Sequence, residues 1–246
     1  MLTLRGWLSK APFTLAMSSG FFGFYAHAGV MSVLEDEGLL PARACGSSAG
    51  ALVTGLWASG VPAPRIRDQL LGLRREHFWD VRPGLGLLRG DLFRALLDSI
   101  APAKTFEQCR VPLAVSVFDV GARRTIVLRA GALAPAVHAS CAAPILFQPV
   151  RIGGRLYLDG GILDRPGTDG LADGERVLFH HLVAPPPWRR RSAPGPRAPR
   201  RPHMQVVAIP DLPSLNPFRL ARGREAIERA AEGMHRALDR PIAAEA

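Results

Sequence analysis

Ser48 is the side chain of this chain best placed to do chemistry, because it lies in the sequence Gly46-Ser47-Ser48-Ala49-Gly50. A serine flanked in this way is typical of a tight strand-to-helix turn that exposes the hydroxyl as a nucleophile. A short apolar approach precedes it, and residues 49–58 predict a buried helix. The start of that helix favours developing negative charge, since its first backbone N–H groups have no partner within the helix. The pattern indicates an acyl hydrolase.

Two further segments supply the partners that such a serine needs. Ser19-Gly20-Phe21-Phe22-Gly23 falls between a predicted strand at 12–18 and a helical pattern that ends at Gly38, so it predicts a loop of backbone donors. Asp159-Gly160-Gly161 follows the strand-like 155–158 and places a carboxylate at a strand end. Gly-x-Ser-x-Gly also occurs by chance, and Asp-Gly is a common turn signal. The prediction of a nucleophile, a base and an oxyanion hole therefore depends on all three segments together.

With these three motifs in this order, the chain resembles the patatin-like phospholipase family. The resemblance covers roughly the first two thirds of the chain. Residues 139–144 and 147–150 agree with it, because they look like the helix and loop that the family places before its aspartate. The resemblance implies an α/β fold, namely a patatin-like three-layer sandwich in which a central, mostly parallel sheet carries helices on both faces.

The resemblance also implies roles for individual residues. Ser48 matches the nucleophile, and Asp159 matches the general base of a Ser-Asp dyad that works without histidine. Gly20 and Phe21 match the oxyanion loop, and to these we add the N–H of Ala49, which follows the nucleophile. The glycines that complete the motifs are Gly23, Gly46, Gly50, Gly160 and Gly161.

The first loop departs from the family pattern at Phe22, where a lysine or arginine often stands. Without that cation, the oxyanion hole is expected to depend on backbone dipoles alone. The pair Phe21-Phe22 predicts an apolar mouth suited to acyl chains. Reduced or altered activity is an alternative expectation.

The remaining polar residues have simpler interpretations. His27 falls within the first helix and is expected to be structural, while His180 and His181 lie on one predicted strand and should point to opposite faces. Turn or hairpin roles are predicted for Asp119, Asp164 and Asp169. Three cysteines without paired spacing indicate reduced core thiols, namely Cys45, Cys109 and Cys141. No metal and no cofactor are expected.

Length and composition predict one patatin-like domain over residues 1–246, because 246 residues with 48% hydrophobic content can bury a full core. Strand-like runs alternate with helical segments, which favours a sheet covered by helices. The predicted strands are 12–18, 113–118, 125–128, 176–183 and 204–209, and the predicted helices are 63–75, 90–100 and 219–238. The last helix is expected to be an amphipathic cover for the sheet.

The net charge of +10 is concentrated in residues 184–203, which contain seven prolines, six arginines and no acid. This composition predicts a flexible insertion, which could draw the protein to anionic membranes or be only a solvated loop. Nucleic-acid binding is not expected, since Trp188 is the single aromatic residue there. The sequence shows neither a secretory signal nor a spanning apolar run, so the expected location is cytoplasmic, with peripheral membrane contact.

The leading functional prediction is a serine lipid acyl hydrolase of the phospholipase A, acylglycerol esterase or lysophospholipid esterase type. Its expected partner is a lipid ester substrate. One alternative is a lipid-binding or regulatory module that has lost catalysis. Another is an α/β-hydrolase with a Ser-Asp-His triad, in which the histidine would be His180, His181, His203 or His235.

Overall fold

The structure is a computed structural model and describes residues 2–183 and 197–242. Its helices are α1 (Leu4–Lys10), α2 (Phe24–Asp36), α3 (Ala49–Ala58), α4 (Ala63–Leu71), α5 (Asp91–Ile100), α6 (Leu133–Ser140) and α7 (Gly223–Leu238). Its strands are β1 (Thr14–Met17), β2 (Arg43–Ser47), β3 (Gly86–Leu88), β4 (Leu113–Asp119), β5 (Arg124–Leu128), β6 (Ile145–Phe147), β7 (Val150–Ile152), β8 (Arg155–Asp159), β9 (Val177–His181) and β10 (Met204–Ala208).

The central sheet has the strand order β10-β9-β1-β2-β4-β8-β7, and β5 also pairs with β4. The strands from β10 to β4 run parallel, while β5, β8 and β7 add antiparallel pairs at one side. Strands β1 and β9 are buried along their whole length, as expected for parallel strands with both faces covered. The predicted α/β architecture is confirmed. Helix α1 and the short strands β3, β6 and β7 were not predicted.

The two faces of the sheet carry different cores because side chains alternate along each strand. Leu15 and Met17 belong to the large core, which includes buried residues of all the helices named above. Ala16 points the other way, into a small cluster with Phe179 that is covered by residues of β5, β10 and the loop around Leu171. Most of the apolar burial therefore lies on the face that carries α3.

Helix α7 docks as predicted, but its main contact is α2. A Cβ at Gly29 would lie 2.3 Å from the carbonyl oxygen of Ile227, so only glycine allows the two helices to approach this closely. Ile227, Met234 and Leu238 are buried on the facing side of α7. Helix α7 thus mainly covers another helix.

Residues 184–196, which hold most of the predicted flexible insertion, lie outside the described residues. The described end of that segment is anchored at Arg201, which donates to the carbonyl of Ala172 at 3.2 Å and pairs with Asp173 at the same distance. Within the ranges described, no helix is both long and apolar enough to cross a bilayer.

Register places the key residues at one edge of the sheet. Ser47 at the end of β2 pairs with Ser116 of β4, and the next β4 residue, Val117, pairs with Asp159 at the end of β8. Ser48 and Asp159 therefore lie on either side of β4 at nearly the same height. The loop after β1 ends at this edge too, because β1 and β2 are parallel neighbours.

Candidate active site

Ser48 occupies a strained turn between β2 and α3. Its φ of 52° and ψ of −117° are unfavourable for a residue with a side chain. The glycines beside it are required by contact, since a Cβ at Gly46 would lie 2.6 Å from the amide nitrogen of Ala51. A Cβ at Gly50 would lie 2.0 Å from the carbonyl oxygen of Met17. The predicted strand-to-helix turn is present, and it holds the hydroxyl at the start of α3.

The hydroxyl of Ser48 meets the carboxylate of Asp159. Ser48 Oγ donates to Asp159 Oδ2 at 2.7 Å, and Asp159 Oδ1 accepts from the amide of Gly161 at 2.7 Å. Burial raises the pKa of Asp159 to about 6, while the bonds from Ser48 and Gly161 and the charge of Arg165 act in the opposite direction. A carboxylate with this pKa is ionised at neutral pH and is still basic enough to accept a proton.

The turn is also held on its other side by Ser140 and Cys141, whose contacts with Ser48 the sequence analysis did not predict. The amide of Ser48 donates to Ser140 Oγ at 2.8 Å, and Ser140 Oγ in turn donates to the carbonyl of Ser116 at 2.7 Å. The thiol of Cys141 donates to the carbonyl of Ser48 at 3.2 Å. Both polar groups of the strained peptide are therefore satisfied by α6 and the residue that follows it.

The predicted oxyanion loop packs tightly below Leu182. A Cβ at Gly20 or Gly23 would lie 2.4 Å or 2.1 Å from Leu182 Cδ1, and the amide of Gly23 donates to the carbonyl of Gly20 at 2.9 Å. Gly20, Phe21 and Ala49 line the same cavity as the serine. Their amides donate no hydrogen bond within the part of the chain that the structure describes. These N–H groups are available to a ligand.

The two glycines after Asp159 are required by contact as well. A Cβ at Gly160 would lie 2.2 Å from the carbonyl oxygen of Ser116, and one at Gly161 would lie 2.3 Å from Ser19 Oγ. Gly160 therefore lets the chain turn away from β8 directly against β4. Gly161 brings the aspartate loop against the glycine loop, which joins two of the three motifs.

A cavity of about 580 Å³ opens over the serine. Ser48, Asp159 and the amides described above lie on its wall, and the remaining lining is mostly apolar. The larger apolar side chains of the wall include Phe22, Phe24, Leu52, Leu73, Phe78, Phe93, Leu146 and Phe147. The apolar mouth predicted from the two phenylalanines is present, and the space suits a hydrocarbon chain beside an ester group.

Arg165 is a charged residue of this cavity that the sequence analysis missed. Its carbonyl accepts from the amide of Ser19 at 2.8 Å, which sets it beside the glycine loop. Its charge lowers the pKa of Asp159 against the effect of burial. A cation from a different loop therefore acts on Asp159, while the expectation that the oxyanion hole depends on backbone dipoles alone stays a prediction. The one sequence signal is its place six residues after Asp159.

The histidines are placed away from the serine. His27 Nε2 donates to the carbonyl of Ser18 at 2.8 Å, so its Nδ1 accepts from His180 Nδ1 at 2.8 Å. Burial lowers the pKa of His27 to about 4, which keeps the ring neutral. The structural role predicted for His27 is confirmed. No histidine of the described residues lines the cavity.

The other polar residues behave largely as expected. Asp119 accepts from the amide of Ala122 at the β4–β5 hairpin, at 2.9 Å. Asp164 does form a turn, but it is almost fully buried and also accepts from Ser116 Oγ at 2.6 Å.

The described residues contain no group of three or more His, Cys, Asp or Glu side chains arranged to hold a metal ion.

In this α/β protein a serine hydroxyl bonded to a carboxylate thus lies at the turn after a parallel strand, beside amides that donate no hydrogen bond within the described residues. The profile of the family described as "Patatin-like phospholipase" matches residues 15–172, which include all three motifs. The chain belongs to the patatin-like phospholipase family, whose members act on lipids.

Similar proteins agree with this assignment. An uncharacterized NTE family protein of Mycobacterium tuberculosis is 33% identical over 168 residues, which cover 66% of this chain and 46% of that protein. The protein YqhO of Bacillus subtilis is 28% identical over 172 residues, covering 56% of this chain and 59% of its own length. The chain thus spans about half the length of these curated relatives.

Among solved structures, VipD from Legionella pneumophila superposes with a TM-score of 0.69. The alignment covers 93% of this chain and 67% of VipD, with 17% sequence identity. At this identity the likeness shows the fold alone, and it agrees with the α/β architecture described above.

Proposed function

We propose that this protein is a serine lipid acyl hydrolase in which Ser48 and Asp159 form the catalytic dyad. The observation that carries the proposal is the 2.7 Å hydrogen bond from Ser48 Oγ to Asp159 Oδ2 at the wall of an apolar cavity. A nucleophile within hydrogen-bond reach of its base, in space that accepts an acyl chain, meets the geometric requirement for ester cleavage.

The reaction has two steps. In the first, Ser48 Oγ attacks the ester carbonyl while Asp159 accepts its proton, and the tetrahedral intermediate collapses when that proton passes to the departing alcohol. In the second, Asp159 takes a proton from water, the resulting hydroxide equivalent attacks the acyl-serine, and the proton returns to Ser48 Oγ as the fatty acid leaves. No histidine takes part in either step.

The amides of Gly20, Phe21 and Ala49 would hold the negative oxygen of each intermediate. One such donor is typically worth about 3 kcal/mol of transition-state stabilisation. Arg165 adds positive charge at the same wall and helps to keep Asp159 ionised at neutral pH. Together they supply the field that a basic residue at position 22 would otherwise provide.

The substrates that fit are carboxylic esters of fatty acyl chains, as in phospholipids, lysophospholipids and acylglycerols. The cavity wall beside Ser48 is dominated by phenylalanine and leucine side chains, which match hydrocarbon and offer few hydrogen bonds. Electrostatic attraction of the arginine-rich segment to anionic membranes stays a prediction, because residues 184–196 lie outside the described residues.

The test combines hydrolysis with covalent labelling. Wild type should cleave p-nitrophenyl esters and phospholipids and should lose activity when a fluorescent organophosphonate reacts with Ser48. Ser48→Ala should show neither hydrolysis nor labelling, and Asp159→Asn should label at least ~100-fold more slowly because the hydroxyl has lost its base. Equal hydrolysis by all three proteins would end the proposal.

The alternatives give different results in the same assays. A triad would lose activity when His180, His181, His203 or His235 is replaced one at a time by asparagine, whereas the dyad keeps its activity in variants that fold. A lipid-binding module without catalysis would bind phospholipid vesicles but would not react with the organophosphonate.

A further inference from the structure

Three large apolar side chains both line the cavity and reach into solvent, so they must lie at its mouth. These are Phe21, Ile145 and Ile162, with exposed fractions of 36%, 85% and 38%. We call these three residues the rim. They come from three different parts of the chain, namely the glycine loop, the start of β6 and the turn after Asp159. The rim therefore surrounds the entrance to the serine.

Ile145 has an unfavourable backbone conformation. Its φ of 72° lies in the left-handed region, which is costly for a β-branched residue. The side chain gains almost no packing in return, because most of its surface faces water. The conformation is held from both sides, since Gly86 of β3 pairs with Ile145 and the amide of Phe147 donates to the carbonyl of Ala143 at 2.9 Å. A strained residue that presents an apolar side chain to solvent indicates a functional contact.

An exposed arginine lies near the rim. Arg82 is exposed and adjoins the end of β6, because its carbonyl accepts from the side chain of Gln148 at 3.1 Å. It has no ion pair with any other described residue. Apolar side chains beside an unpaired arginine match a surface that is apolar inside and anionic outside, which is the structure of a phospholipid bilayer.

We propose that the rim is the surface by which this protein docks on a phospholipid bilayer, with Ile145 as the leading contact. This inference rests on the proposed function, because an acyl chain that leaves the bilayer through the rim would reach Ser48 without crossing water. Docking also removes the exposed apolar surface of the rim from solvent. The residues of the rim lie outside the arginine-rich segment at 184–203.

The experiment measures vesicle binding apart from hydrolysis. All proteins carry Ser48→Ala, so that lipids stay intact, and they are sedimented with vesicles of phosphatidylcholine containing phosphatidylglycerol. Ile145→Asn should weaken binding about tenfold, since one buried aliphatic side chain is lost. Asparagine tolerates a positive φ, so this variant should unfold at the same temperature as its parent or higher. Folding failure is thereby separated from loss of docking.

Leu40→Asn is the matched control. Leu40 is 52% exposed and precedes β2, at the end of the sheet opposite to Ser48. Its removal should leave vesicle binding unchanged. Equal binding by the parent, Ile145→Asn and Leu40→Asn would overturn the proposal. So would a dimer in sedimentation velocity that Ile145→Asn disperses while vesicle binding stays the same, because the rim would then join two copies of the chain.

The outcomes also separate this inference from the proposed function. If wild type cleaves no ester but vesicle binding depends on Ile145, the docking surface stands and the hydrolase proposal fails. If wild type cleaves esters but the parent and Ile145→Asn bind vesicles equally, the hydrolase proposal stands and the docking surface is overturned.

Discussion

Among the described residues, two serine hydroxyls donate to an aspartate, and the hydroxyl of Ser140 links the backbones of the two serines. Ser48 bonds to Asp159 at 2.7 Å and Ser116 bonds to Asp164 at 2.6 Å, so the length of the hydrogen bond does not distinguish the pairs. The first pair opens to the cavity, whereas neither Ser116 nor Asp164 lines it. Access to a ligand therefore separates a candidate dyad from a structural pair.

The two carboxylates also differ in what else they accept. Asp164 accepts from the amides of Gly167, Thr168 and Asp169 in addition to Ser116, at distances of 2.9 to 3.1 Å. Asp159 accepts from the amide of Gly161 in addition to Ser48. Fixed donors therefore surround the carboxylate of Asp164, whereas Asp159 has fewer donors in a buried place, and burial raises its pKa. The second condition suits proton transfer.

The largest expected difference between the pairs is in ester hydrolysis. Ser48→Ala should lower kcat/KM for a p-nitrophenyl ester by at least ~10³-fold, because the nucleophile is removed. Ser116→Ala removes the same hydroxyl from the structural pair and should change kcat/KM by less than about threefold at a temperature where both variants are folded. Circular dichroism checks the fold of each variant. A comparable loss in both would mean that the pairs share one function.

The next difference is in stability, where a change at Asp164 should have a larger effect than the same change at Asp159. Asp164→Asn should lower the free energy of unfolding by about 3 to 4 kcal/mol, because an amide cannot accept all the bonds that the carboxylate accepts and turns its own donors toward backbone N–H groups. Urea denaturation at pH 7 measures the change. Asp159→Asn serves as the reference, and a larger loss there would reverse the roles assigned to the two aspartates.

Asp159→Asn should instead stabilise the protein at high pH. The folded pKa of about 6 exceeds the unfolded value of 3.8, so the folded state prefers the protonated form. The ionised carboxylate therefore reduces stability above pH 6 by about 3 kcal/mol, and this cost disappears as the pH falls from 6 to 3.8. Denaturation curves at pH 8 and pH 4 test this, with a gain at pH 8 that shrinks at pH 4. A constant difference between the proteins would contradict the raised pKa.

The same pKa predicts an acid limb for activity. Asp159 must be ionised to accept the proton of Ser48, so kcat/KM of wild type should fall about tenfold for each pH unit below about 6. Arg165→Gln should move this limb to higher pH, because the charge that lowers the pKa of Asp159 is removed. Stopped assays on an uncharged short-chain ester give the profile. A profile that is flat between pH 4 and pH 7 would exclude Asp159 as the base.

These contrasts show why the sequence predicted some parts of the site and missed others. Ser48 and Asp159 stand in local motifs, because the turns that hold them need glycines at fixed neighbouring positions. Arg165, Ser140 and Cys141 are in the site through tertiary contacts, and the local sequence does not indicate that their side chains reach Ser48 or Asp159. The second Ser-Asp pair was missed because neither Ser116 nor Asp164 lies in a glycine motif of the kind that surrounds Ser48 and follows Asp159.

The fold follows a similar rule. The buried strands at the centre of the sheet were predicted because continuous apolar runs reveal them, and their alternation with helices gave the α/β class. The short strands β3, β6 and β7 have three residues each, which is too short for a period to show. Whether residues 1–246 form one domain stays a prediction, because the segment at 184–196 lies outside the described residues.

The smallest predicted effect concerns Ser140, which joins the two pairs by accepting from the amide of Ser48 and donating to the carbonyl of Ser116. Ser140→Ala should lower kcat about three- to tenfold with little change in KM, because the strained turn loses the acceptor that fixes the nucleophile. Ser59→Ala is the matched control, since its buried hydroxyl also donates to a backbone carbonyl, that of Leu56, and lies outside the cavity lining. Both variants should lose about 1 kcal/mol of stability. If kcat fell equally in both, the effect would come from general loosening of the fold, and Ser140 would have no part in positioning Ser48.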